Sequence, residues 1–160
     1  MIHRRSTIVL STIVLLLCLG ALLPGAMAQQ SQHDTPGEAQ AMLSKAVAAV
    51  KANQSQAIEM FNAGQGGFLE GDLFPFCFRL SDGKTVATQL KQRLGDDVRT
   101  AKGPTGKAFG QELYAAAQKP EGEITEVSYV ITRPGSDLPV EKVSFITRVG
   151  DLGCGVGYYK

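Results

Sequence analysis

The sequence predicts an α+β domain in which a long N-terminal helix packs on a five-stranded antiparallel sheet. Residues 38–62 are rich in alanine and carry apolar residues at helical spacing, whereas five later segments are short, apolar and bounded by turn residues. The last three segments follow one another through turns, which favours antiparallel pairing within one sheet. A short crossover helix is predicted between the second and third segments.

The first 28 residues have the pattern of an export signal. His3-Arg4-Arg5 is cationic, residues 8–23 form an apolar run, and Ala26-Met27-Ala28 is a small-x-small cleavage site. The alternative is an uncleaved membrane anchor, but the 16 residues of the run reach only about 24 Å as a helix, short of the ~30 Å hydrocarbon core. We therefore expect cleavage after Ala28 and a periplasmic or other extracytoplasmic location.

The mature chain is expected to hold one domain. Removing 28 of the 160 residues leaves 132, in which 29–37 are predicted to be a flexible polar leader and 38–160 the folded domain. The whole chain has a formal net charge of +1, so the charge gives no support to nucleic-acid binding. No second apolar stretch approaches membrane length before Lys160, and we expect a stand-alone exported form.

The helix predicted over 38–62 should bury its apolar stripe against the sheet. It is expected to loosen, if anywhere, at Asn53-Gln54-Ser55, and the glycines of Gly64-Gln65-Gly66-Gly67 supply a left-handed end. The buried positions recur every three or four residues: Met42, Leu43, Ala46, Val47, Val50, Ala57, Ile58 and Phe61.

Two strands and the crossover helix are predicted next. Residues 73–80 and 85–88 form the strands, with Pro75 at the strand entry or at a bulge because it lacks a ladder donor. Residues 89–105 show no clear period, and the helix is predicted over 107–118.

Three further strands complete the predicted sheet, over 124–132, 140–149 and 152–159. Glycines occupy alternating positions of the last strand and therefore share one face, where they leave room for something packed close against the sheet. These glycines are Gly153, Gly155 and Gly157.

The mature chain has two cysteines, Cys77 and Cys154, both at predicted mid-strand positions. In an oxidising compartment they suggest one disulfide if the first and last strands are neighbours, and two buried thiols are the alternative. The one histidine after residue 28, His33, lies in the leader, so neither a zinc site nor a Cys-His nucleophile is predicted. Asp96 and Asp97 are expected to be solvated. We predict no catalytic residue, no metal and no cofactor.

A ligand site is predicted on two paired strands and their joining loop, together with the first and last strands. Its candidate residues are Phe78, Tyr129, Arg133, Lys142 and Tyr158. An apolar cup with a few cations suits a small carboxylate ligand. For each residue taken alone, the alternative is a structural role, with the aromatic rings in the core and Lys142 and Arg133 solvated.

The mature chain resembles the single-Cache sensor domains, a branch of the extracellular PAS-like superfamily. The likeness covers nearly all of 38–160 and rests on the order and spacing of its parts. The segments that carry it are Lys51-Ala52-Asn53, Phe61-Asn62, Gly71-Asp72-Leu73-Phe74 through Phe78, Gly106-Lys107-Ala108-Phe109, Val127-Ser128-Tyr129, Arg148-Val149-Gly150-Asp151, and Gly153-Cys154-Gly155-Val156-Gly157-Tyr158-Tyr159-Lys160.

The resemblance implies a ligand cup on the face of the sheet opposite the long helix. Members sense small molecules, often organic acids or amino acids, usually as outer parts of chemoreceptors and histidine kinases. This chain has Ala87-Thr88-Gln89 where members tend to carry a histidine-proline pair, so it departs from the pattern associated with the usual ligand.

The resemblance therefore predicts a sensor that binds an organic acid or amino acid and reports to a membrane receptor or kinase. A second copy of the chain, forming a homodimer, is a further candidate partner. The alternative is an accessory module that does not sense and dimerises through its long helix. An open cup lined by Lys142 or Tyr129 would favour sensing. A cup filled by Phe76, Phe78 and Tyr158 would favour the accessory module.

Overall fold

Helices cover both faces of a five-stranded antiparallel sheet in the computed structural model, which describes residues 34–160. The strand order is β2-β1-β5-β4-β3. The elements are α1 (Pro36–Ala52), α2 (Gln54–Ala63), β1 (Pro75–Arg79), β2 (Thr85–Ala87), α3 (Gly110–Ala116), β3 (Thr125–Thr132), β4 (Pro139–Val149) and β5 (Leu152–Tyr159). The predicted export signal, residues 1–28, and His33 lie outside the described residues.

The N-terminal helix begins two residues before the predicted start and is broken once. Thr35 caps it and forms a capping box with Glu38, so Pro36 occupies the first turn and not the predicted leader. The single helix predicted over 38–62 is two helices, because Asn53 is extended and its side chain accepts a hydrogen bond from the backbone of Gln56. Gly64 ends α2 with a φ of 66°, as the glycine-rich segment predicted.

The two faces of the sheet build separate apolar clusters because side chains alternate along each strand. Cys77, Phe145, Val156 and Tyr158 pack on the side of α1 and α2. Phe78, Tyr129 and Ile146 pack on the opposite side, with residues of α3. The described part of the chain contains no helix with the length and apolar character that crossing a membrane requires.

The predicted disulfide is present. Cys77 and Cys154 face each other in the antiparallel register of β1 and β5, and their sulfurs are bonded. Both residues are fully buried on the side of α1. Pro75 is the first residue of β1, as expected for a residue without a backbone donor.

The crossover helix is shorter than predicted. It spans Gly110–Ala116 instead of 107–118, because Ala108 forms an isolated bridge with Lys102 and Phe109 precedes the first helical turn. The segment before it, which had no clear period, contains two single 3-10 turns, Lys91–Arg93 and Val98–Thr100. This segment and α3 lie over the face of the sheet that carries the site described next.

Candidate functional site

A cavity of about 110 Å³ opens on the face of the sheet opposite α1. Its volume is several times the ~10–15 Å³ that one water molecule needs, so it can take a small organic molecule. Most of the wall is apolar or aromatic, and it is formed by Phe74, Phe76, Val98, Phe109, Leu113 and Ile131. Such a wall, with a few polar groups in it, is typical of small-molecule sites.

Lys142 of β4 lines this cavity, and its surface is only 6% exposed. Its ammonium nitrogen lies 4.2 Å from the centre of the Tyr159 ring and 5.1 Å from that of Phe74. Among residues 34–160, no carboxylate lies within ion-pair distance of this nitrogen. Burial lowers the pKa of Lys142 to about 8. The cavity therefore holds a buried cation whose neighbours are aromatic faces.

A second cation contacts the same Tyr159 ring as Lys142. The Arg133 guanidinium lies 4.6 Å from the centre of the Tyr159 ring and forms an ion pair with Asp72 at 3.1 Å. Asp34, just before α1, accepts a hydrogen bond of 2.7 Å from the backbone of Asp72. Burial raises the pKa of the Asp34 carboxyl. These contacts run from the start of α1 to the ring that touches Lys142.

Tyr129 lines the cavity from β3, the neighbour of β4. Its ring stacks on Phe109 with centroids 4.2 Å apart, and its hydroxyl shares a 2.8 Å hydrogen bond with Ser144. Burial raises the pKa of Tyr129 to about 12, so the phenol stays neutral at physiological pH. Tyr129 therefore offers a fixed neutral surface rather than a charge.

Two carboxylates at the cavity rim are held by arginines. Asp97 pairs with Arg99 at 2.6 Å, and the Arg99 hydrogen bonds lower the pKa of Asp97 to about 2. Asp96 lies 3.8 Å from Arg93. The expectation that both carboxylates are simply solvated is incomplete, because each has an arginine partner and each lines the cavity.

Gly155 and Gly157 of β5 form a floor beneath Phe76 and Lys142, two of the residues that line the cavity. A Cβ at Gly155 would lie 2.8 Å from the Phe76 ring, and one at Gly157 would lie 2.6 Å from the Lys142 side chain. The prediction of close packing against these glycines is confirmed, since side chains of the neighbouring strands lie directly over them.

The structure brings together only part of the predicted ligand site. Tyr129 and Lys142 line the cavity, and Arg133 lies one aromatic ring away. Phe78 is buried under α3 and is not at the cavity surface. Tyr158 points to the opposite face of the sheet from this cavity and stacks on Phe145, because it shares the alternation of Cys154.

Sequence reasoning missed Tyr159, which the same alternation places on the glycine face and so beside the cavity. It also missed Phe74, Phe109 and Asp72. These residues come from loops, whose positions relative to the sheet have no periodic signal in the sequence.

Solved structures with this fold include chemotaxis proteins. A methyl-accepting chemotaxis protein from Vibrio parahaemolyticus RIMD 2210633 is 23% identical, with a TM-score of 0.58 over 77% of this chain and 86% of its own. The periplasmic sensor domain of a chemotaxis protein is 22% identical, with a TM-score of 0.56 over 75% and 86% of the two chains.

A third similar structure is a Cache chemosensory domain described for carboxylic acid recognition. It is 21% identical, with a TM-score of 0.53 over 75% of this chain and 84% of its own. Neither a protein-family model nor a curated protein matches the sequence. The fold is that of a single Cache sensor domain, as the resemblance implied.

Proposed function

We propose that this domain is an extracytoplasmic sensor that binds a short-chain carboxylate in the cavity beside Lys142. The observation that carries the proposal is the buried Lys142 ammonium, which faces an open, largely apolar cavity without a carboxylate partner among residues 34–160. Burying a cation is unfavourable unless it is paired, and a ligand carboxylate would supply the missing charge.

The cavity favours a monocarboxylate over an amino acid. The wall near Lys142 is aromatic, which suits a short hydrocarbon chain. An amino acid would also need an acceptor for its ammonium group, and the rim carboxylates Asp96 and Asp97 are already held by Arg93 and Arg99. Acids of two to four carbons are therefore the first compounds to test.

The alternative, an accessory module that dimerises through its N-terminal helix, has less support. A cup filled by Phe76, Phe78 and Tyr158 would have favoured it, but only Phe76 of the three lines the cavity, and the cavity is open. Sensing also agrees with the role of the chemotaxis and chemosensory domains that share this fold. A membrane receptor or kinase is the proposed recipient of the signal.

Calorimetry on the mature protein tests the binding. Propionate should bind to the unmodified protein, whereas its neutral analogue propionamide should bind far more weakly. Lys142→Ala should weaken propionate binding by about 1.5–3 kcal/mol, the value of a hydrogen bond to a charged group. Lys119→Ala is the matched control, because Lys119 is half exposed and pairs with Glu123. Equal affinity of the Lys142→Ala protein for propionate would contradict the proposal.

Export is a separate part of the proposal and has its own test. Cleavage after Ala28 would leave Gln29 as the first residue, either free or cyclised. Intact-mass measurement of the exported protein should show this mature form. A mass that includes residues 8–23 would indicate the membrane-anchored alternative.

A further inference from the structure

Lys142 has the surroundings of a reactive amine as well as those of an anion-binding cation. Lysines become nucleophilic when they are desolvated in an apolar pocket or placed near another cation. Lys142 meets the first condition, since it is 6% exposed and lines the cavity between Phe74 and Tyr159. The Arg133 guanidinium meets the second, because it contacts the same Tyr159 ring.

We infer that Lys142 captures small aliphatic aldehydes or ketones reversibly as a Schiff base inside this cavity. The inference rests on the proposed function in using the same cavity, but it adds a second class of ligand that carries a carbonyl group and no charge. The apolar wall would hold the alkyl chain, and the ammonium-bearing carbon chain of Lys142 already lies over the glycine floor at Gly157.

The reaction of the amine with the carbonyl compound releases one molecule of water. The lone pair of the neutral amine attacks the carbonyl carbon, and the carbonyl π electrons move to the oxygen. Transfer of one N–H proton to that oxygen gives a carbinolamine. Loss of its hydroxyl group together with the second N–H proton releases water and leaves the C=N bond. No oxidant, reductant or metal is consumed.

The charges that face Lys142 set the fraction of neutral amine. Burial lowers the pKa of Lys142 to about 8. The positive charge of Arg133 also lowers this pKa, whereas the carboxylates of Asp72 and Asp34 raise it. Tyr159 and Tyr129 face Lys142 as neutral phenols, since burial raises the pKa of each. At pH 7 about one Lys142 in ten is then neutral, against about one in 3,000 for a lysine of ordinary pKa.

Reductive trapping tests the inference on the mature protein. Propanal and cyanoborohydride at pH 7 convert an imine into a stable propyl amine, which peptide mass spectrometry assigns to a residue. Lys142 should be labelled at least about tenfold faster than the other lysines, given the difference in neutral fraction. Labelling of Lys142 at or below the rate of the exposed lysines would overturn the inference.

Two further measurements separate this inference from the proposed function. Asp72→Asn should accelerate the labelling of Lys142, because it removes a carboxylate that favours the protonated amine, whereas Asp137→Asn in the exposed hairpin loop should not. Propionate has no carbonyl group that forms an imine, so its binding is measured independently. Propionate binding without selective labelling would remove the Schiff base alone, and selective labelling without propionate binding would remove the carboxylate ligand alone.

Discussion

Lys142 and Tyr159 are directly opposite each other in the antiparallel register of β4 and β5, and the lysine nitrogen lies 4.2 Å from the centre of the tyrosine ring. Cross-strand neighbours share a face, so the backbone pairing itself brings the cation to the ring. The ring face stabilises the ammonium through its quadrupole and keeps it inside the apolar cavity. The following predictions depend on this arrangement and on the contacts around it.

Propionate affinity should fall as the pH rises through about 8. The ligand anion is expected to bind the protonated amine, and above the pKa of Lys142 the charged fraction falls up to tenfold per pH unit. Calorimetry at pH 7, 8 and 9 measures this. Lys142→Arg is the matched control, since an arginine remains charged over this range and its affinity should not change with pH. A flat profile for the unmodified protein would contradict the assignment.

Lys142→Met should stabilise the unliganded domain at pH 7. The folded-state pKa of about 8 lies below the ordinary 10.5, so below pH 8 the amine is charged in both states and the burial penalty is fully present. Between pH 8 and 10.5 the unfolded chain binds more protons than the native one, so the stability of the unmodified protein rises with pH. The gain from the substitution should be at most about 3 kcal/mol at pH 7.

Urea unfolding at pH 7 and pH 9 measures this gain, which should shrink by about 1 kcal/mol at the higher pH. Lys119→Met provides the control, because Lys119 is exposed and its substitution should show no such pH dependence. A gain from Lys142→Met that is the same at both pH values would show that the folded-state pKa of Lys142 is not lowered and would contradict the prediction.

Tyr129 and Ser144 should behave as a coupled pair. Either Tyr129→Phe or Ser144→Ala leaves one buried hydroxyl without its 2.8 Å partner, which costs about 1–2 kcal/mol of unfolding free energy. The double variant should lose less than the sum of the two, because no hydroxyl remains unpaired. Urea unfolding of the four proteins measures the coupling, and additive losses would contradict it.

Loss of the Cys77–Cys154 disulfide should lower the unfolding free energy by about 4 kcal/mol, because the bridge closes a long loop in the unfolded chain. Urea unfolding of the Cys77→Ala/Cys154→Ala protein measures the loss. Reductant should destabilise the unmodified protein and leave this variant unchanged. Non-reducing peptide mapping checks the bridge directly, and two free thiols in freshly exported protein would disprove it.

The strands and the disulfide could be predicted because the information lies in short segments. Alternation and turn residues placed the last three strands within one residue of their observed limits, and two mid-strand cysteines indicated their own pairing. Lys142 could be identified because a charge among apolar strand residues is unfavourable unless a partner or a ligand stabilises it. The break at Asn53 was harder, since local capping by one side chain competed with a continuous apolar stripe.

The remaining site residues depend on how loops fold over the sheet. Asp72 and Asp34 meet only because the loop before β1 passes the start of α1, and Phe109 reaches Tyr129 only through the crossover segment. No sequence period encodes such contacts. Tyr158 and Tyr159 are a different case, because the alternation that groups Tyr159 with the glycines was available in the sequence but was not used to choose between the two tyrosines.

The glycine floor makes this cavity well suited to redesign. From Gly153 to Gly157 the central strand presents no side chain on this face, so, apart from Tyr159 at its end, residues on other elements decide the dimensions of the ligand space. Substituting those residues leaves the pairing of β5 with both neighbours intact. A library that varies Phe74, Val98 and Ile131 while retaining the glycines could therefore change which chain length is accepted without rebuilding the middle of the domain.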